Sequence, residues 1–148
     1  MGWTAQLIDA WKGHSLSIAE GASEAELSTF EQEHSVSIPK AFREYLLAVN
    51  GMVSADDSDA RLFAFWPLAR MRPVLQQYPE YGDQARDCFI FADFMLSSFE
   101  YAIDMRGEPK HRGSVVLVGG KDPQVISRSF QEFIELYLRD APELYGSK

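Results

Sequence analysis

The sequence predicts an α+β fold: a curved, mainly antiparallel sheet with N-terminal helices and a C-terminal helix packed around it. Three observations carry this. Apolar residues recur at helical spacing near both ends, four strand-like runs follow one another between residues 88 and 128, and no linker, repeat or low-complexity tract divides the chain. The 148 residues are therefore read as one domain, 1–148. A chain of this size buries about 70% of its unfolded surface and needs no disulfide or metal staple. The single cysteine, Cys88, sits in the apolar run CFIFADF and reads as a buried, inert thiol.

In chain order, Trp3, Leu7, Ala10 and Trp11 predict an amphipathic helix ending near Gly13. SLSIAEGAS reads as a loop. Ser23 and Glu26 form a capping box ahead of EAELSTFEQEH, which offers Leu27 and Phe30 to the core. SVSIP is extended, because the residue before a proline is driven from the helical region. Pro39 opens a third helix with Phe42, Tyr45, Leu46 and Val49 on one face, and Gly51 is expected as its left-handed cap. MVSADDSDAR reads as a solvated loop, and RLFAFWPLARMRPVLQQY as one strand followed by a helix beginning at Pro67.

The four runs CFIFADFML, FEYAIDM, SVVLVGG and QVISRS, separated by turn residues, predict the antiparallel meander. Several are apolar at both alternations, which implies helical cover over much of the sheet. Asp93, Glu100 and Asp104 interrupt them, and fit either an accessible part of a concave face or strand ends facing water. Ser129 and Glu132 cap a final helix bearing Phe130, Phe133, Ile134 and Tyr137.

Chemistry-bearing motifs are sparse. His14, His34 and His111 lack ligand spacing, and Asp56, Asp57 and Asp59 lack the glycine and closing glutamate of a calcium loop, so no metal or cofactor is expected. VGGKD lacks Walker spacing and reads as a hairpin turn. No catalytic residue is assigned. A small hydrolase would need two of the sheet carboxylates to converge in a pocket. Arg70, Arg72 and Arg86 are offset by Glu80, Asp83 and Asp87.

The net charge of −8 is uneven: residues 1–60 hold ten acids and three bases (−7), and residues 61–148 twelve acids and eleven bases (−1). An acidic N-terminal third repels phosphate backbones, disfavouring nucleic acid, and attracts a basic protein. It also serves solubility. No run approaches a membrane span, and the first residues have neither a signal-peptide pattern nor the Ser or Thr of a myristoylation signal, so a cytoplasmic location is expected.

The ordered pattern ASEAELSTFEQEHSVSIPKAFREYLLAVNG, followed by FIFADFMLSSFEYAIDM, GSVVLVGG and ISRSFQEFIELYL, resembles the SUKH superfamily over roughly residues 20 to 140. The resemblance implies helices packed on a curved sheet and a binding role without catalysis. Bacterial members look like immunity proteins that neutralise toxins, often nucleases, and fungal relatives are cell-wall regulators. The expected function is therefore an immunity protein masking a basic toxin domain; the alternative is a regulatory module acting on a cellular enzyme or assembly. The residues expected to touch the partner are Asp56, Asp57 and Asp59 in the acidic loop, with Asp93, Glu100 and Trp66, the last as an exposed aromatic. Oligomeric state is not legible.

Overall fold

The computed structural model describes residues 2–13, 18–52, 58–59 and 61–146. Helices α1 (Trp3–Gly13), α2 (Glu24–His34) and α3 (Lys40–Ala48) come first, with a short strand β1 (Ile18–Glu20) between α1 and α2 and a strand β2 (Val49–Met52) directly after α3. β1 and β2 pair as a separate antiparallel ribbon. The main sheet is antiparallel and six-stranded. Its strands are β3 (Phe63–Phe65), β4 (Arg72–Pro73), β5 (Cys88–Phe94), β6 (Phe99–Asp104), β7 (Val115–Val118) and β8 (Gln124–Ser127). The order is β3-β5-β6-β7-β8, with β4 pairing the first residues of β5 on the edge that β3 uses further along. Helix α4 (Val74–Gln77) and two short 3-10 turns within Pro79–Ala85, broken at Gly82 (φ +57°), precede β5, and α5 (Phe130–Leu138) follows β8.

The meander, α2, α3 and α5 lie where periodicity placed them. α2 begins with the full Ser23–Glu26 capping box, and Ser129 Oγ accepts from the Glu132 N–H. Three readings are corrected. Ile18–Glu20, expected within a loop, is a strand, because its backbone finds partners in Val49 and Met52. Gly51 does not cap a helix: α3 ends at Ala48, and Gly51 lies inside β2 at φ +69°, where a Cβ would stand 2.6 Å from the Trp66 carbonyl carbon. Glycine is required there by handedness and by close backbone approach. Pro67 likewise opens only a 3-10 turn, Leu68–Arg70, and the helix waits until Val74.

The sheet is buried on both faces. One face packs Phe65, Phe91, Tyr101 and Ile103 against an aromatic core built by Trp11, Phe42, Tyr45, Phe130 and Phe133. Rings meet tilted or edge-on, the latter as in Phe42–Phe130 at 4.9 Å and Phe91–Phe133 at 5.4 Å. The other face sets Cys88, Ile90, Ala102, Val116 and Val118 under Trp66, Val74, Tyr81 and Ala85. Tyr81 fastens this second cover by donating its hydroxyl to the Gly120 carbonyl at 2.6 Å. A register shift between Ile90 and Ala92 bends β5, and after it Asp93 faces the second cover with Ile90. Cys88 is buried as expected, and desolvation pushes its thiol up to about 12.

The β5–β6 turn contrasts with Gly51. Met95, Leu96 and Ser97 stand at φ +53°, +54° and +68°, and Leu96 is 96% exposed. A left-handed conformation costs a residue with a Cβ about 1–2 kcal/mol, more than the roughly 0.5–1 kcal/mol by which glycine loosens the unfolded chain. Leu96→Gly is therefore expected to stabilise the protein by about 0.5–1 kcal/mol, whereas Gly51→Ala costs about 2–4 kcal/mol in urea unfolding. Equal effects at the two positions would contradict this account of the backbone.

Candidate functional site

The residues expected to bind a partner fall into two separate clusters. Asp56 and Asp57 lie outside the described residues. The first cluster is built on the sheet face covered by α4. Asp93 on β5 and Glu100 on β6 are direct register partners, and both carboxylates are buried. Two like charges opposite each other across strands destabilise a sheet unless each is separately compensated.

Compensation comes from the segment after β3. Trp66 is 1% exposed rather than an exposed aromatic, because the sheet is covered on this face too. Its Nε1–H donates to Asp93 Oδ2 at 2.7 Å, and the Ser97 N–H donates to Oδ1 at 3.3 Å. Arg70 lies over the Trp66 ring, 4.0 Å from its centroid, with Nη2 3.9 Å from Asp93 Oδ2. Arg72 approaches the same ring at 5.2 Å. Glu100 Oε1 accepts from Tyr78 Oη at 2.8 Å and Gln77 Nε2 at 2.9 Å. Its Oε2 accepts no hydrogen bond, and Arg72 Nη2 stands 3.8 Å away. Asp104, on the same face, accepts from the backbone N–H and Nε of Arg106, both at 3.0 Å. Asp93, Glu100 and Asp104 are thus neither lining an open concave face nor facing water at strand ends. Each carboxylate of the opposed pair is occupied by donors of the fold, and both lie beneath residues of the second cover.

The second cluster ties the chain's two ends together. Asp59 is buried; its Oδ1 accepts from the N–H groups of Arg61 and Phe63 at 2.8 and 3.0 Å, and Oδ2 accepts from the Tyr137 hydroxyl. That hydroxyl accepts in turn from Trp11 Nε1 at 2.9 Å. α1, the start of β3 and α5 are joined by this chain of bonds. Arg61 lies 4.9 Å over the Tyr137 ring and pairs with Asp140 at 2.7 Å. The Tyr145 hydroxyl donates to the same Asp140, and with Arg61 holds its carboxyl below the usual range.

Carboxylates that do face solvent lie elsewhere, on and near α2 and also at Glu80, Asp83, Glu108, Glu132 and Glu135. Glu24, Glu26 and Glu33 on α2, with Asp9, Glu20 and Glu44 nearby in sequence, are exposed. Arg43 pairs with Glu24 and lies 3.5 Å from Glu31; Glu26 and Glu33 have no ion pair among the described residues. Sequence reading missed this face because glutamates on a capped helix look like ordinary solvation. The available signal was the absence of any lysine or arginine between residues 13 and 39.

Comparison with known proteins agrees with this architecture. The family model for the SMI1 / KNR4 family (SUKH-1) matches residues 21–136, most of the chain. This chain belongs to the SUKH-1 family. The match runs from Gly21, two residues before the cap of α2, into α5, and so takes in β2, the main sheet, the Trp66 cluster and the acidic helix of this SUKH-1 protein. No curated protein matches it. Among the described residues no helix is long and apolar enough to cross a membrane, and no group of three or more His, Cys, Asp or Glu could hold a metal ion.

The clusters predict a specific alkaline response. Burial and the Glu100 carboxylate push Tyr78 up to about 12, and burial and Asp140 do the same to Tyr145. Tyr45, Tyr101 and Tyr137 are also raised, chiefly by burial. A phenol whose folded value exceeds its unfolded value of about 10 stabilises the fold fully below pH 10, and that contribution is lost as pH rises through the folded value. Tyrosinate absorbance at 295 nm is thus expected to rise together with loss of far-UV dichroism between about pH 10 and 12. Several tyrosinates formed near pH 10 with dichroism intact would contradict it.

Proposed function

We propose that this SUKH-1 protein is a non-catalytic binding protein that neutralises a cognate toxin domain, in the manner of an immunity protein. The observation that carries the reading is the separation of its carboxylates. Asp93 and Glu100 on the sheet and Asp59 ahead of it are buried and engaged by Trp66, Tyr78, Tyr137 and arginines, while Glu24, Glu26 and Glu33 on α2 face solvent without basic neighbours in sequence. Family membership supports a protein partner, and a one-signed surface suits a basic one, such as a nuclease whose active surface holds phosphates.

In this reading Trp66, Asp93, Glu100 and Asp59 act through what they position: the first three hold Arg70, Arg72 and the 3-10 turn, and Asp59 holds the ends of α1 and α5. Asp56 and Asp57 are proposed as direct contacts beside the α2 acids. Inhibition then consists of covering the toxin surface, with the charge setting how quickly the two proteins meet. The site of action would be the cytoplasm, where a reduced Cys88 fits the single-thiol composition.

Capture of the tagged chain's partner from its native cells, followed by co-expression of the two, tests the proposal. Growth is expected to be rescued, the two proteins to co-purify one to one, and the association rate to fall at least about tenfold between low and high salt. Unrelieved growth arrest, or stoichiometric recovery of a housekeeping enzyme instead, would overturn the immunity reading.

A further inference from the structure

An open groove of about 450 Å³ runs between α2 and the 3-10 turn Leu68–Arg70. Its floor is apolar: Phe30, Leu68 and Met71 belong to the main core, yet each keeps 6–7% of its surface, and all three line this groove. Ala25 and Thr29 on one wall and Ala69 on the other have short side chains, which keeps it open. His34 closes one end, packed against Phe30 in a tilted arrangement at 4.5 Å and edge-on to Phe89 at 5.0 Å.

The rim has one sign. Glu26 and Glu33 line the groove, seven residues apart on α2, which places them about 10 Å from each other along the axis. The base nearest in sequence on the opposite wall, Arg70, is turned onto the Trp66 ring and toward Asp93. The Trp66 cluster thereby removes a cation from the groove wall, and links the buried carboxylates to the surface.

We infer that this groove is the seat of a cationic amphipathic helix of the protein partner. An aliphatic or aromatic side chain enters between Thr29 and Ala69, and lysine or arginine residues about two turns apart meet Glu26 and Glu33. Charge complementarity selects this occupant: an acidic helix would set like charges against Glu26 and Glu33, and a polar cationic coil would leave Phe30, Leu68 and Met71 uncovered. The inference rests on the binding-protein reading and adds the surface and the partner's form.

The probe is a labelled, capped peptide of about 18 residues, roughly 27 Å of helix, with leucines at i, i+3, i+4 and i+7 and flanking lysines. One control replaces leucine by serine at the same charge, and another replaces lysine by glutamate at the same apolar face. The leucine–lysine peptide is expected to bind the full chain and shift amide resonances of Ala25, Thr29 and Ala69, with both controls at least about tenfold weaker. Glu26→Gln with Glu33→Gln, in which glutamine keeps the capping-box acceptor, should weaken it about tenfold at low salt and little at high salt. Thr29→Trp, which fills the groove from an exposed position, should block it at either salt.

Equal binding of the serine control, or shifts confined to residues away from α2 and the 3-10 turn, would overturn the groove assignment. Failure of this assignment is distinguishable from failure of the function. A chain bearing Thr29→Trp and the two glutamine substitutions that still rescued growth would overturn the groove and leave the immunity reading standing; a wild-type chain that bound the peptide in the groove but rescued nothing would do the reverse.

Discussion

Everything on the second face of the sheet depends on the hydrogen bond from Trp66 to Asp93. Two carboxylates sit opposite each other on adjacent strands inside a sheet that is covered on both sides, an arrangement that neither water nor strand geometry can relieve. Trp66 supplies a donor to one and a ring on which two arginines rest. From there the constraint spreads outward. Arg72 reaches Gln77 at 2.6 Å, and Gln77 and Tyr78 together satisfy one oxygen of Glu100, so α4 is placed by the same carboxylates it covers. The backbone N–H of Trp66 also donates to the Phe91 carbonyl at 2.7 Å, extending the pairing of β3 past its last strand residue.

The opposite face is held by aromatic packing and by one polar chain, Trp11 to Tyr137 to Asp59. These two faces differ in what they allow. Helices α1, α3 and α5 are positioned by large rings that tolerate no change in spacing, whereas the 3-10 turn after Trp66 is positioned by ion pairs and one indole. Gly51 joins the two systems, since β2 can approach the Trp66 backbone only without a side chain. The acidic helix α2 stands beside that junction, packed through Leu27 and Phe30 on one side and open on the other.

Much of the fold was legible because its longer elements carry their own periodicity. The capping serines 23 and 129, the stripe of α3 and the four runs of the meander marked their places within a residue or two. β1 was not legible, since three residues have no period to detect and their pairing comes from β2. Gly51 misled for a related reason: Asn-Gly after a helix reads as a cap, and only the partner strand shows otherwise. The site was less legible than the fold. FAFW is buried at every position, the mark of a strand covered on both faces, and that signal implied that the acids of neighbouring strands are buried as well. Reading a helix from Pro67 hid the second cover, because only Val74–Gln77 is α-helical and its place is fixed by Gln77 and the following Tyr78 binding Glu100.

The sheet carboxylates shape the protein, while the helix carboxylates are proposed to meet its partner. A double-mutant cycle of Trp66→Phe and Asp93→Asn, read by urea unfolding, tests the first half at its centre. Trp66→Phe is expected to cost about 3 kcal/mol, with a coupling to Asp93→Asn of at least about 1 kcal/mol, because the indole N–H has no other role there than to hold that oxygen. Additive effects, with Trp66→Phe costing less than about 1 kcal/mol, would show that the opposed carboxylates are stabilised without Trp66 and would contradict the account.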